Sequence, residues 1–156
     1  MKLLVFSDSH GATAPMLRLV RAREPDALVH LGDYTRDAQV LRAAFPETPL
    51  RLVRGNCDWA DASTPEREQF ELEGVPVFAC HGHRYGVKTS LEALLNAGYF
   101  AGARLLLFGH THVPLCETVE GMLLLNPGSA RQTCAELELA AGEIVRAEIL
   151  QMENGK

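Results

Sequence analysis

Side chains that can bind a metal ion recur along this chain directly after apolar stretches. The apolar run 105–108 leads into Gly109-His110-Thr111-His112, and in an extended segment His110 and His112 would point to the same side. Two imidazoles that project together from the end of a buried strand would form half of a metal site. The other half is expected from four similar turns: Asp8-Ser9-His10, Gly32-Asp33, Gly55-Asn56-Cys57-Asp58 and His81-Gly82-His83.

The types of these side chains indicate which metals would bind. Aspartate oxygens, imidazoles and an amide oxygen suit divalent ions such as Mn, Fe, Zn, Co or Ni. A structural zinc site would rely on closely spaced cysteines, and the four cysteines here form no Cys-x-x-Cys pair. The candidate ligands outnumber those that one tetrahedral ion takes, so a two-metal site is favoured, with ions about 3.5–4 Å apart. They are Asp8, His10, Asp33, Asn56, His81, His110 and His112.

The first three of these turns follow strands of an alternating pattern. Strands are predicted at residues 2–6, 27–31 and 50–53, with a helix after each of the first two. The second helix is expected to be capped by Thr35 and to end before Pro46. Strand, helix, strand, helix, strand indicates a parallel sheet with crossover helices, in which ligands gather at the carboxyl ends of the strands. All three polar turns fall at such ends.

The second half of the chain is richer in strands. A hairpin over residues 68–80 leads into His81-Gly82-His83, and a helix capped by Ser90 is expected to end at Gly98. Later strands are predicted at residues 104–108, 115–119, 122–125, 134–139 and 144–150. Leucines alternate with Glu136 and Glu138 in the fourth of these strands, which predicts a half-exposed strand. His30 is interpreted as a core residue. We expect one domain, residues 1–156, containing two sheets.

Composition excludes several classes of protein. A formal net charge of −5 gives no general attraction to nucleic acid or anionic lipid. No apolar run approaches the roughly 20 residues that span a bilayer. We therefore expect a cytoplasmic protein without membrane association, with reduced thiols and a small-molecule partner. Pairing of the C-terminal strands into a homo-oligomer is left open.

The five turns, in this order and spacing, resemble the motif set of the calcineurin-like metallophosphoesterases. The resemblance runs from about Lys2 to Ser129, and the Gly-Asn-Cys-Asp variant is most similar to the small single-domain phosphodiesterase branch. It implies an α/β (α+β) fold, a four-layer αββα sandwich of two mixed β-sheets flanked by helices.

The resemblance also implies a role for each motif residue. It implies three sets of ligands: Asp8, His10 and His112 for one ion, Asn56, His81 and His110 for the other, and Asp33 bridging both. The implied activity is that of a dinuclear metal-dependent phosphoesterase that uses metal-activated hydroxide. The expected substrates are small phosphodiesters such as cyclic nucleotides or nucleotide conjugates. Two divalent ions are the expected cofactors, Mn first, with Ni, Fe, Zn, Co or Mg as alternatives.

Cys57 is where this chain departs from many larger relatives, which carry a histidine directly after the motif asparagine. That histidine is thought to assist the leaving group, and cysteine is a poorer hydrogen-bond donor. His83 is the first candidate to assist instead, and Arg84 is a candidate for binding a phosphate oxygen. The alternatives are a small residue that fits a tight turn for Cys57, and a solvated arginine for Arg84. Together with Asp33 and Asn56, these three residues form the predicted catalytic set.

Other functions remain open at the level of the sequence. The chain is similar in size to the retromer coat subunit, which has this fold, so a metal-binding interaction scaffold is one alternative. Every ligand position is filled here, which argues against a scaffold-only role. A phosphomonoesterase and a metal-dependent hydrolase of a non-phosphate ester are further alternatives.

Overall fold

A computed structural model describes residues 1–153, in which ten strands and three α-helices are found. In chain order the strands are β1 (Lys2–Phe6), β2 (Ala27–His30), β3 (Leu50–Leu52), β4 (Arg67–Leu72), β5 (Val75–Cys80), β6 (Leu105–Leu107), β7 (Leu115–Val119), β8 (Met122–Asn126), β9 (Thr133–Ala140) and β10 (Glu143–Gln151). The helices are α1 (Thr13–Arg23), α2 (Thr35–Ala44) and α3 (Glu92–Phe100), and His83–Tyr85 forms a 3-10 turn.

The strands form two mixed sheets of five. The first has the order β10-β9-β1-β2-β3, and the second has the order β4-β5-β6-β8-β7. The neighbours β1, β2 and β3 are parallel, as are β5, β6 and β8. The remaining pairs are antiparallel: β9 with β1, β10 with β9, β4 with β5 and β7 with β8. The predicted parallel crossover unit at the amino-terminal end is therefore confirmed.

Alternation along each central strand explains how the layers stack. In β1, Leu3 and Val5 point into a core that they share with residues of the second sheet. Leu4 points to the opposite face of the sheet, which α1 and α2 cover. In β6, Leu105 faces the same shared core, and Leu106 packs against α3. Both sheets are covered by helices on their outer faces, so the predicted αββα sandwich is confirmed. No helix within residues 1–153 is long and apolar enough to cross a membrane.

The predicted exposure of β9 is wrong. Glu136 is fully buried, because β9 lies between β10 and β1 and has side chains packed on both of its faces. Its carboxylate lies 3.0 Å from Nη2 of Arg146 and 3.6 Å from Nε of Arg23, so the buried charge is paired. Glu138, two residues further along, is only partly buried.

The predicted end of α3 at Gly98 is also wrong, since the helix continues to Phe100. A Cβ at position 98 would lie 2.4 Å from Cδ1 of Leu106 and 2.8 Å from Sδ of Met122. Glycine therefore allows the helix to approach the second sheet closely. Hydrophobic periodicity cannot distinguish this use of glycine from a helix stop.

We expect Gly98→Val to lower the free energy of unfolding by about 1–3 kcal/mol, because the added methyl groups would overlap Leu106 and Met122. Asn96→Val is the matched control, since it places the same residue at an exposed position of the same helix. Urea denaturation of both variants measures the difference. Equal stability of the two variants would contradict the close approach of α3 to the sheet.

Candidate metal centre

Two buried carboxylates and a buried imidazole meet where the carboxyl ends of the two sets of parallel strands converge. Asp8 follows β1, Asp33 follows β2 and His81 follows β5. Nε2 of His81 lies 3.6 Å from Oδ1 of Asp8 and 3.5 Å from Oδ2 of Asp33. The side chains of Asp8 and His81 are fully buried and that of Asp33 is 4% exposed. Residues that are distant in sequence are thus brought within ligand distance of a common point.

Three more histidines surround this centre. Nε2 of His112 lies 3.2 Å from Oδ1 of Asp8, and Nε2 of His10 lies 3.9 Å from Oδ2 of Asp33. His110 lies on the other side, with Nδ1 3.2 Å from Nε2 of His81. All six of the predicted aspartate and histidine ligands therefore lie in one cluster.

The expectation that His110 and His112 share a face of an extended strand is wrong, because β6 ends at Leu107. Both residues lie in the following loop, where the His110 ring contacts His81 and the His112 ring contacts Asp8. Five of the predicted ligands have the left-handed backbone conformation, which is uncommon for residues other than glycine. They are Asp8 (φ 52°), His10 (43°), Asp33 (47°), His110 (70°) and His112 (62°). Such strained residues concentrate at functional sites.

The hydrogen bonding of His81 directs its Nε2 toward the two carboxylates. Nδ1 of His81 lies 2.8 Å from the carbonyl oxygen of Leu31, which can only accept, so Nδ1 carries the proton. Nε2 then faces the carboxylates of Asp8 and Asp33, and in the neutral ring its lone pair is directed at the point where a cation would bind. Burial favours the neutral ring, but hydrogen bonding and charge from Asp33, together with the charge of Asp8, outweigh it and raise the pKa of His81.

The unsatisfied atoms of the cluster fit a cation. Oδ1 of Asp8 and Nε2 of His10 are buried without a hydrogen-bond partner among the described residues. Unpaired buried polar atoms are costly and call for a ligand. Two groups of three place their ligand atoms within 4.8 Å of one another. They are Asp8, His10 and His112, and Asp8, Asp33 and His81. Carboxylates and imidazoles in these numbers suit a divalent ion.

Asp33 is held from several sides. Burial by itself would raise the pKa of Asp33, but His81 and the backbone N–H of Cys57 outweigh it, and the pKa lies well below its usual range. The Cys57 N–H donates to Oδ1 of Asp33 at 2.9 Å. A Cβ at Gly55 would lie only 2.1 Å from the same oxygen. The glycine before Asn56 is therefore needed so that this loop can approach the carboxylate.

Asn56 and Cys57 lie at the exposed rim of the centre. Nδ2 of Asn56 contacts Sγ of Cys57 at 3.7 Å, so the amide is turned toward the cysteine in this structure. Desolvation of the sulfur and the negative charge of Asp33 raise the pKa of Cys57 to about 11. The thiol is protonated near neutral pH and can act only as a weak donor.

His83 and Arg84 differ in their access to the centre. The ring of His83 lies 5.5 Å from that of His81, centroid to centroid, and its Nδ1 is buried without a partner in residues 1–153. Burial and the proximity of His81 lower the pKa of His83. Arg84 is exposed and makes two hydrogen bonds to Glu66, at 3.0 and 3.1 Å. Its guanidinium is therefore engaged by a carboxylate.

Asp58 supports the site, although sequence reasoning gave it no role. Its buried carboxylate accepts the backbone N–H groups of Asp33 (2.8 Å), Gly55 (2.8 Å) and Thr35 (2.9 Å). Thr35 is thus the first residue of α2 and not its cap, because the helix terminus is satisfied from another loop. The only sequence signal was the position of Asp58, two residues after Asn56.

A second buried network joins the first two loops. His30 is fully buried, as predicted for a core residue, and its Nε2 lies 2.9 Å from Oγ of Ser9. Ser9 donates to Oδ2 of Asp37 at 2.7 Å, and Nδ1 of His30 accepts from Gly32 N at 3.1 Å. These bonds require a neutral ring with its proton on Nε2. Burial lowers the pKa of His30 to about 4.

The chain belongs to the calcineurin-like phosphoesterase superfamily, whose domain model matches residues 1–148. It is 34% identical over 137 residues to probable metallophosphoesterase YsnB of Bacillus subtilis (strain 168), covering 84% of this chain and 76% of that protein. It is 32% identical over 154 residues to phosphodiesterase YfcE of Escherichia coli (strain K12), covering 83% of this chain and 79% of YfcE. The family predicted from the five motifs is confirmed.

Solved structures agree with this family. A predicted phosphoesterase from Streptococcus pneumoniae TIGR4 superposes with a TM-score of 0.79 at 26% identity, covering 96% of this chain and 88% of that protein. A single mutant of Vps29 from Entamoeba histolytica gives a TM-score of 0.76 at 21% identity, covering 98% of this chain and 100% of that chain. The likeness to Vps29 shows a shared fold.

We expect Asp58→Asn to lower the free energy of unfolding by about 2 kcal/mol, because an amide group replaces an oxygen that accepts buried N–H groups. Urea denaturation measures the loss. Glu71→Gln, the equivalent change at an exposed acid, is the control and should have little effect. A similar stability of the two variants would show that Asp58 does not hold these loops.

The lowered pKa of His30 predicts a pH-dependent stability. Between its usual pKa of 6.5 and the folded value of about 4, the unfolded chain binds a proton at this residue and the folded chain does not. The free energy of unfolding should therefore decrease as the pH falls through this range. His30→Gln should make that decrease shallower by up to about 1.4 kcal/mol per pH unit, measured by urea denaturation from pH 6.5 to 4.5. Parallel pH profiles for the two proteins would contradict a neutral buried His30.

Proposed function

We propose that this protein is a dinuclear metal-dependent phosphoesterase that hydrolyses small phosphodiesters. The observation that supports this most is the burial of Asp8, Asp33 and His81 together, with Nε2 of His81 3.6 Å from Asp8 and 3.5 Å from Asp33. Membership in the phosphoesterase superfamily supports ester hydrolysis, and the phosphodiesterase name of the Escherichia coli relative favours diesters. Cyclic nucleotides and nucleotide conjugates are the proposed substrates.

We assign the ligands as the motif resemblance implies. The proposed sets are Asp8, His10 and His112 for one ion, Asn56, His81 and His110 for the other, and Asp33 for both. The first set coincides with one of the two ligand clusters, which supports it. Nδ2 of Asn56 contacts Cys57, and Asn56 would contribute its amide oxygen to the ion. When bound, the two ions would activate water for attack on phosphorus and offset the charge of the phosphate.

Side chains around the centre would position the substrate and assist the departure of the leaving group. Backbone hydrogen bonds fix Asp33, so its carboxylate can serve both sides of the centre without rearranging. His83 is proposed to assist the leaving group, since it is close to His81 and its Nδ1 is free for a new bond. The protonated Cys57 thiol is a second, weaker donor. Arg84 would have to leave Glu66 to bind a phosphate oxygen.

Several finer expectations stay predictions of the sequence. They are a single domain over residues 1–156, manganese as the preferred metal, a cytoplasmic location and possible pairing into a homo-oligomer. A phosphomonoesterase would use the same centre. The scaffold alternative draws support from the Vps29 fold, and it would bind metal without turning over esters.

We expect metal-stripped protein to hydrolyse bis(p-nitrophenyl) phosphate when Mn, Ni, Mg or Zn is restored, and faster than it hydrolyses p-nitrophenyl phosphate. Asp33→Ala should reduce this rate more than about a hundredfold, because losing a partner outside the ligand shell alone costs 10–100-fold. Release of p-nitrophenol is the measurement, and the exposed change Glu71→Gln is the control. Full activity in Asp33→Ala would contradict the proposed site. Metal binding without hydrolysis of either ester would favour the scaffold.

A further inference from the structure

A groove of about 570 Å³ opens beside the metal centre, and its size is within the range of small-molecule sites. It is lined by the loop after β2 and by the loop after β3. Asn56 and Cys57 belong both to this groove and to the rim of the centre. An ester bound at the centre can therefore extend one of its arms into the groove.

The groove contains the only tryptophan of the chain, Trp59, and the residue is 84% exposed. Its indole ring is accessible to a ligand in the groove, and aromatic rings stack on one another with a favourable interaction. The opposite loop supplies Tyr34, whose ring lies 5.0 Å from that of His10, centroid to centroid. The groove thus has one aromatic residue on each of its two loops: Tyr34, which is close to the predicted ligand His10, and Trp59.

Arg36 adds a positive charge to the side of the groove that contains Tyr34. Its guanidinium carbon lies 4.5 Å from the centroid of the Tyr34 ring, which holds the side chain in place through a cation–π contact. No carboxylate forms an ion pair with Arg36 in the part of the chain that the structure describes. A stacked, unpaired guanidinium complements both a planar ring and a phosphate oxygen.

We propose that this groove is a subsite for a planar aromatic ester arm, with a nucleobase as the natural example, and that Trp59 is its stacking residue. Aromatic side chains stack on bases of any sequence, because every base has a π face. The assignment rests on the proposed phosphodiesterase function and narrows its substrates to esters of nucleosides or similar aromatic alcohols. Esters with small aliphatic arms would use the metal centre without this contact.

The first test does not depend on catalysis. Because Trp59 is the only tryptophan, its fluorescence reports on the groove directly. Titration of the protein with adenosine 5′-monophosphate should quench this fluorescence in a saturable manner, at concentrations at least about fivefold lower than ribose 5-phosphate requires. Equal concentration dependence for the two compounds would overturn the subsite, since it would show that the base contributes nothing.

The second test compares two diesters that release the same alcohol, the methyl ester of thymidine 5′-monophosphate and the methyl ester of ribose 5-phosphate, of which only the first has an aromatic arm. Trp59→Ala should lower the ratio of their kcat/KM values about tenfold, and Trp59→Phe should retain most of it. Phe100→Ala removes another exposed aromatic residue, at the end of α3, and should leave the ratio at the wild-type value. An unchanged ratio in Trp59→Ala would overturn the proposal. Quenching by the nucleotide without hydrolysis of either ester would retain the subsite and reject the phosphodiesterase function.

Discussion

The arrangement of this protein depends on a concentration of negative charge that it cannot satisfy alone. Asp8 and Asp33 are buried where the two sheets meet, and the hydrogen bond from His81 to Leu31 directs Nε2 of His81 toward them. Burying two carboxylates so close together is unfavourable unless a cation compensates them. The surrounding loops hold these carboxylates in place.

Those loops are held by backbone hydrogen bonds that cross between strand ends. The Asp8 N–H donates to the Gly32 carbonyl at 2.9 Å, and Ser129 Oγ donates to the Asp8 carbonyl at 2.8 Å. The Asp58 carboxylate accepts three further backbone N–H groups, those of Asp33, Thr35 and Gly55. Such bonds offset the cost of the left-handed conformations at the ligand positions. The carboxylates are thereby preorganised, so that binding a cation requires little movement of the backbone.

Much of the fold was predictable from sequence, because apolar alternation and turn residues mark most strands within one or two residues. The clustering of the motif aspartates and histidines was predictable too, since each motif follows a strand. Local patterns could not show that Gly98 allows a helix to approach a sheet, or that Glu136 is buried between arginines from other elements. They also could not show the pairing of Arg84 with Glu66. These features arise from contacts between distant segments, which a single sequence does not display.

The central claim is that the buried cluster holds two divalent ions. The most direct measurement is the anomalous diffraction of crystals grown from protein loaded with Mn. We expect two anomalous peaks per chain, one next to Asp8 and His112 and the other next to His81 and His110, with Asp33 between them. A single peak would contradict a dinuclear centre. The absence of any peak at these residues would contradict the assignment of this cluster as a metal site.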